Sequence, residues 1–275
     1  MRDGVMLTTT EAAALASVTP STIKRWADQG RLTYARTVGG HRRFSRAAVE
    51  SALRDGAAGA ASASASGAEA AANSWVRCLI DGPRHELDGR LLEARARLGR
   101  WCDVADELAV ALRALGVAWA TGLISIAEEH VASDNLARAL ARAGDTLPTR
   151  RHAPRCALAC AGDDEHTLGL SLAELCVREV GWSPLWLGRR TPLAEVVRLV
   201  TEGDVDVVSL CASEASRDAQ ALADIDAELG AACHAHGAGL VLGGAGIWPA
   251  LPRHGVRLTS FAAFRELLVS REVAP

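Results

Sequence analysis

The sequence predicts a multi-domain α and α/β protein in which a small helix-and-hairpin module, a four-helix bundle and a doubly wound parallel sheet follow one another. Three observations predict it. Residues 56–73 are almost wholly alanine, glycine and serine, with too little apolar bulk to pack, so they separate the first 55 residues from the rest. From residue 74 to 144, leucine, alanine, valine and tryptophan recur at helical spacing without strand-like alternation. After Pro154, short apolar runs alternate with amphipathic helical patterns, which argues for a parallel sheet with right-handed crossovers. The expected divisions are therefore 1–55, a linker at 56–73, 74–150 and 151–275.

Composition narrows the class. At 275 residues and 49% hydrophobic content the chain can bury several cores. It has no apolar run of membrane-spanning length and opens on no signal-peptide pattern, so a cytoplasmic protein is expected. Its seven cysteines are scattered, with neither a Cys-x-x-Cys pair nor a histidine at zinc-finger spacing, and read as reduced thiols. The net charge of −3 hides an asymmetry: the first 55 residues carry nine Lys/Arg against five Asp/Glu, or +4, which leaves −7 for the remainder. A basic head on an acidic body suggests that one end meets a polyanion.

In the head, Thr9 to Ala16 reads as a short helix. Thr19 caps a second at Pro20 to Gln29, and Leu32 to Thr37 and His41 to Phe44 read as a hairpin turned at Gly39-Gly40. Ser45 can cap a helix over Arg46 to Arg54. Thr22-Ile23-Lys24-Arg25-Trp26 and Gly39-Gly40-His41-Arg42-Arg43-Phe44 together resemble the winged helix-turn-helix of the MerR family. The resemblance implies that Ser21, Thr22, Lys24 and Arg25 face the major groove of an operator DNA. It also implies that the wing, with Arg36, His41, Arg42 and Arg43, grips the backbone or minor groove. Trp26 and Phe44 read as core. A single such head would bind weakly and sensitively to salt, so several copies are expected to act together.

In the middle segment, Gly82-Pro83, Gly99 to Trp101 and Leu115-Gly116 are the expected breaks, giving about four helices. Strands are expected at Cys156–Ala161, Ser183–Leu187, Val205–Cys211, Gly239–Leu242 and Val256–Thr259. Helices are expected at Leu170–Val180, Leu193–Glu202, Ala219–His236 and Phe261–Arg271.

The stretch with the most chemistry is Asp164-Glu165-His166-Thr167-Leu168-Gly169, which follows the first of these strands. Ligands of open α/β sheets sit at the carboxyl ends of the strands, and His166 falls there. Asp164 can accept from one imidazole nitrogen and leave the other as a Lewis base, and Gly169 would admit a bulky ligand. The alternative is that Asp163 or Asp164 caps the next helix and His166 is merely solvated. Asp-x-His-x-x-Gly resembles the signature of cobalamin-binding domains. That resemblance implies His166 as the lower axial ligand of cobalt, Asp164 behind it, and a slot for the displaced nucleotide tail lined by Ser209 and by Gly243-Gly244.

Trp119, followed after nine residues by Glu129-His130, resembles the CarH/LitR light-sensing regulators, in which a helical bundle covers the upper face of adenosylcobalamin. The resemblance implies that Trp119, Glu129 and His130 border the upper ligand. It departs at Ala120, where the best-known members carry a histidine. The whole chain is thus expected to be a regulator and not an enzyme, with no catalytic residues. It would bind DNA as a dark adenosylcobalamin-loaded homo-oligomer, commonly a tetramer, and act as a repressor that light releases. A light-independent corrinoid sensor and a corrinoid methyl carrier are the alternatives.

Overall fold

A computed structural model describes residues 6–16, 20–28, 32–37, 40–50, 70–148, 150 and 152–272. It divides into two units, residues 1–69 and 70–275.

In the first unit β1 (Met6–Leu7), α1 (Thr9–Leu15), α2 (Pro20–Asp28), β2 (Ala35–Arg36) and β3 (Arg42–Ser45) form two helices and an antiparallel sheet of order β1-β3-β2. Strand β1 lies outside the expected elements. It pairs Leu7 with Phe44 and so ties the start of the described chain to the wing. Thr8 and Glu11 form a reciprocal capping box on α1. The Ser45 hydroxyl accepts from Ala48 N at 3.1 Å and caps the helical turn at 46–50. Ala12, Ile23, Leu32, Phe44 and Val49 make the core, with Trp26 partly buried against it. The expected cap Thr19, the turn residue Gly39 and positions 51–54 lie outside the described residues.

The second unit begins with a helix, α3, at 70–81. Its first residues overlap the expected linker span, and Ala72 is buried because Trp75 and Leu79 of the same helix carry it into the core. Helices α4 (Arg84–Leu98), α5 (Trp101–Ala120) and α6 (Ile126–Asp145) complete a four-helix bundle. The break expected at Leu115-Gly116 does not occur. Leu115 is buried, α5 continues through both residues, and the turn falls at 121–125, where Gly122 takes φ +74° and Ser125 caps α6 in a box with Glu128.

The α/β part alternates β4 (Arg155–Cys160), α7 (Leu168–Glu179), β5 (Ser183–Gly188), α8 (Leu193–Thr201), β6 (Val207–Cys211), α9 (Ala219–His236), β7 (Gly239–Gly243), β8 (Val256–Arg257) and α10 (Phe261–Glu272). The sheet is five-stranded, all parallel, in the order β5-β4-β6-β7-β8. The first strand therefore sits between the second and third, so the chain reverses its winding between β4 and β6, and a crevice opens where their carboxyl ends diverge.

The two faces of the sheet carry separate cores. Ala157, Ala159, Val208, Leu210 and Leu242 pack with α8 and α9. Cys156, Leu158, Val207 and Val241 pack with α7, α10 and the bundle in one continuous cluster. Carboxylates fix that junction. Glu179, the last residue of α7, accepts Trp101 N at 2.9 Å and Cys102 N at 3.4 Å, capping α5, which has no side-chain cap of its own. Asp106 on α5 accepts Phe261 N at 2.7 Å and Ala262 N at 3.0 Å, capping α10 in return.

Candidate functional site

The carboxyl edge of the sheet brings His166 and Asp164 together as expected and adds two serines the motif did not reveal. Asp164 is buried, with its side chain inaccessible, whereas the His166 ring is 65% exposed. Asp164 Oδ1 accepts from His166 N at 2.9 Å and lies 2.8 Å from His166 Nδ1. Its Oδ2 accepts from Ser213 N at 2.5 Å and from the Ser216 hydroxyl at 2.6 Å. Burial alone would raise this carboxyl's pKa. The bonds from Ser216, from the His166 and Ser213 amides and from the His166 ring outweigh it and hold the group well below the usual carboxylate range.

An ionised Asp164 places the ring proton on Nδ1, where the Ser213 hydroxyl lies 3.1 Å away. Nε2 then keeps its lone pair and faces outward, which makes His166 a positioned Lewis base. The capping alternative fails: Thr167 occupies the N-cap position of α7, and no amide of that helix reaches Asp164. Ser213 and Ser216 come from the loop after β6, the strand beside β4, and only the sheet order places them here. The signal available in sequence was two serines just beyond an apolar run.

Gly169, expected to leave room for a ligand, is closed by the protein itself. A Cβ there would stand 2.8 Å from Cys211 Sγ, so the glycine lets the first turn of α7 approach β6. Ser209 is buried and alternates with Val207 and Cys211, on the face that α7 and α10 cover. Gly243 follows Val241 on that same face, and a Cβ on it would meet only Leu210 O at 3.7 Å. Gly244 is different: at φ +84° its Cβ would fall 2.2 Å from Ala212 O, so it is required by backbone packing.

The second group of expected residues lies at the end of α5 and the start of α6. Trp101 meets the end of α7, so α5 runs opposite to α7, while Gly144 of α6 packs on Leu175 and Arg178, so α6 returns alongside it. With twenty residues against twelve, α5 is about 12 Å longer than α7. Its carboxyl end carries Trp119, 49% exposed, and Val117, Leu123, Ile126 and Val131 nearby in the chain are exposed as well. Glu129 accepts from the Ser133 hydroxyl at 2.6 Å, and His130 Nε2 lies 3.7 Å from its other oxygen. Ala120 ends α5 beside Trp119.

In the first unit the wing pairs Arg36 with Arg42 and Ala35 with Arg43. Lys24, Arg36 and His41 are exposed. Arg42 is partly engaged within the module: its guanidinium lies 4.7 Å over the Tyr34 ring and donates to Lys24 O at 3.3 Å, tying wing to α2. Arg43 donates to Arg42 O at 3.2 Å. The side chains of Ser21, Thr22 and Arg25 lie outside the described residues.

Residues 6–57 match a helix-turn-helix domain family. Over 139 residues the sequence is 32% identical to the HTH-type transcriptional repressor CarH of Myxococcus xanthus, covering 46% of this chain and 46% of that one. Over that stretch the chain is similar to this repressor. It spans about half the length of that curated relative. Its fold is that of the monomethylamine corrinoid protein of Methanosarcina barkeri, at a TM-score of 0.54 and 16% identity over 74% of this chain and 96% of that one. A helix-turn-helix match and the fold of a corrinoid protein thus occur in one chain.

Proposed function

We propose that the protein is a transcriptional regulator whose body binds a cobalamin, with adenosylcobalamin the form it is built for, and that light relieves its hold on operator DNA. The observation that carries the reading is the buried, ionised Asp164 holding the exposed His166 ring with Nε2 outward at the switch point of the sheet. An imidazole so held is spent on neither packing nor capping and suits a cobalt's lower face. The residues fit the cofactor in two further respects. Gly243 places no side chain beside Ser209, which leaves a nucleotide tail less to displace on a face that α7 and α10 cover, and the end of α5 carries an apolar, half-exposed indole.

On this reading His166 would hold the cobalt, and Asp164, Ser213 and Ser216 fix its tautomer. Trp119 would pack against the nucleoside of a bound adenosylcobalamin, and Glu129 would accept from its hydroxyls. A bound adenosylcobalamin supplies a cobalt–carbon bond that light can break. The chain's part is to seat it, to exclude water from it, and to couple its presence to assembly. Lys24, Arg36, His41 and Arg43, with Ser21, Thr22, Arg25 and Arg42, form the DNA-binding surface. Association of several copies raises the effective concentration of heads that bind weakly alone. The protein then represses as a dark oligomer, a tetramer by resemblance, and acts as a regulator and not as an enzyme.

Ala120 favours a second reading, a corrinoid sensor indifferent to light, because a methyl side chain cannot take over cobalt's upper face. The helix-turn-helix head speaks against a methyl carrier. Absorption spectra of the protein with adenosylcobalamin, dark and after green light, with size-exclusion chromatography of both samples, decide among them. A bound alkyl-cobalamin spectrum that changes irreversibly as a large species becomes smaller is the expected result. Binding with one unchanged size establishes the sensor, and absence of binding refutes the corrinoid site.

A further inference from the structure

The edge of the sheet opposite His166, where the strands begin, holds two cavities that meet on one guanidinium. The larger, about 510 Å³, is lined by Pro154, Trp182, Asp206, Gly237, Ser270 and Arg271. The smaller, about 120 Å³, is lined by His234, His254 and Arg271 among others. Arg271 is fixed at the junction: its Nη1 donates to Gly237 O at 3.3 Å, and its guanidinium lies across Gly239, where a Cβ would come within 2.8 Å of Cζ. The two imidazoles stack with centroids 5.2 Å apart at 27°. Neither the corrinoid reading nor the DNA-binding head uses any of these groups.

The chemistry of the two cavities differs. The smaller converges a permanent cation and two imidazoles on a space the size of a small anionic group, and an Arg fork matches phosphate oxygens in pairs. The larger has an apolar floor of Pro154 and Trp182 and one carboxylate, Asp206, whose Oδ2 already accepts Arg155 N at 2.7 Å. A carboxylate there rejects a second anionic group but accepts from hydroxyls.

We propose that this edge binds a small phosphate monoester with a hydroxylated body, its phosphate between Arg271 and the His234/His254 pair and its body over Trp182 toward Asp206. The site lies at the far end of the strands from His166 and shares no residue with the proposed corrinoid site.

Calorimetric titration of the full chain with ribose 5-phosphate, and with ribose as control, tests the proposal. Saturable binding of the phosphate ester tighter than about 1 mM is expected, with none for the free sugar. Arg271→Gln should weaken it at least about tenfold, the loss of one charge-assisted hydrogen bond. Gly239→Ala should do the same by displacing the guanidinium, while His166→Ala should leave it unchanged. No saturation by ribose 5-phosphate at about 10 mM, which corresponds to an affinity too weak for a built site, overturns the proposal. Equal binding by wild type and both variants overturns it as well.

Discussion

Replacing Asp164 by asparagine is the sharpest test of the His166 site, because the two side chains have the same shape and differ only in hydrogen-bonding character. All four bonds to Asp164 arrive from donors: His166 N and Nδ1 on one oxygen, Ser213 N and the Ser216 hydroxyl on the other. An asparagine has one acceptor oxygen. Whichever way its amide turns, its NH2 faces a backbone N–H, of His166 or of Ser213, and strands that buried donor. Stranding one buried donor costs about 1–3 kcal/mol, and the bonds that survive lose their charge assistance, so a total of about 3 kcal/mol is expected.

The cost should depend on pH with a definite sign. The folded-state pKa is depressed from 3.8, so the stabilisation is fully present above the ordinary carboxylate value and is lost as pH falls below it toward the folded pKa. Denaturant unfolding of wild type and Asp164→Asn should therefore differ by a constant amount from pH 7 to about 5 and converge in stronger acid. Corrinoid affinity should fall about 10- to 100-fold, since the variant no longer fixes the His166 tautomer. A variant within about 0.5 kcal/mol of wild type in stability and unchanged in corrinoid affinity would refute the assigned protonation and role together.

Gly169→Ala should destabilise the body by about 1–3 kcal/mol through contact with Cys211 Sγ, and the added change Cys211→Ala should recover most of it in a double-mutant cycle read by thermal melts. Glu179→Ala removes the cap of α5 and strands two amides at the bundle–sheet junction, with an expected loss of about 1–2 kcal/mol and faster hydrogen exchange at Trp101 and Cys102. In the head, Arg36→Ala should lower the salt slope of DNA binding by about one while leaving the module's stability unchanged. Arg42→Ala should weaken binding and also destabilise the wing, because Arg42 is held over Tyr34 and bonded to Lys24; circular dichroism melts alongside salt-dependent binding separate the two effects.

Elements fixed by local physics were legible in the chain. The α/β strands and helices fell within two residues of their expected bounds because apolar runs and amphipathic periods are local signals. Helix α5 was cut short in the sequence reading at Leu115-Gly116 because a lone glycine looks like a terminator. The buried Leu115 and neighbouring core contacts outweigh its cost of about 1 kcal/mol. Strand β1 was invisible because two residues carry no periodicity; only pairing with β3 makes them a strand.

By itself the sequence determined the order of the pieces, the basic head, and the pairing of Asp164 with His166, since residues two apart on a strand-to-helix loop meet whatever surrounds them. The tertiary structure alone decided the remainder of the site. Ser213 and Ser216 reach Asp164 because β6 pairs beside β4, Gly169 serves packing because Cys211 stands against it, and α5 docks on α7 because Glu179 caps its first turn. These contacts join residues 42 to 78 positions apart, and no local pattern encodes them; they follow from strand order and from which helix end a buried carboxylate can cap.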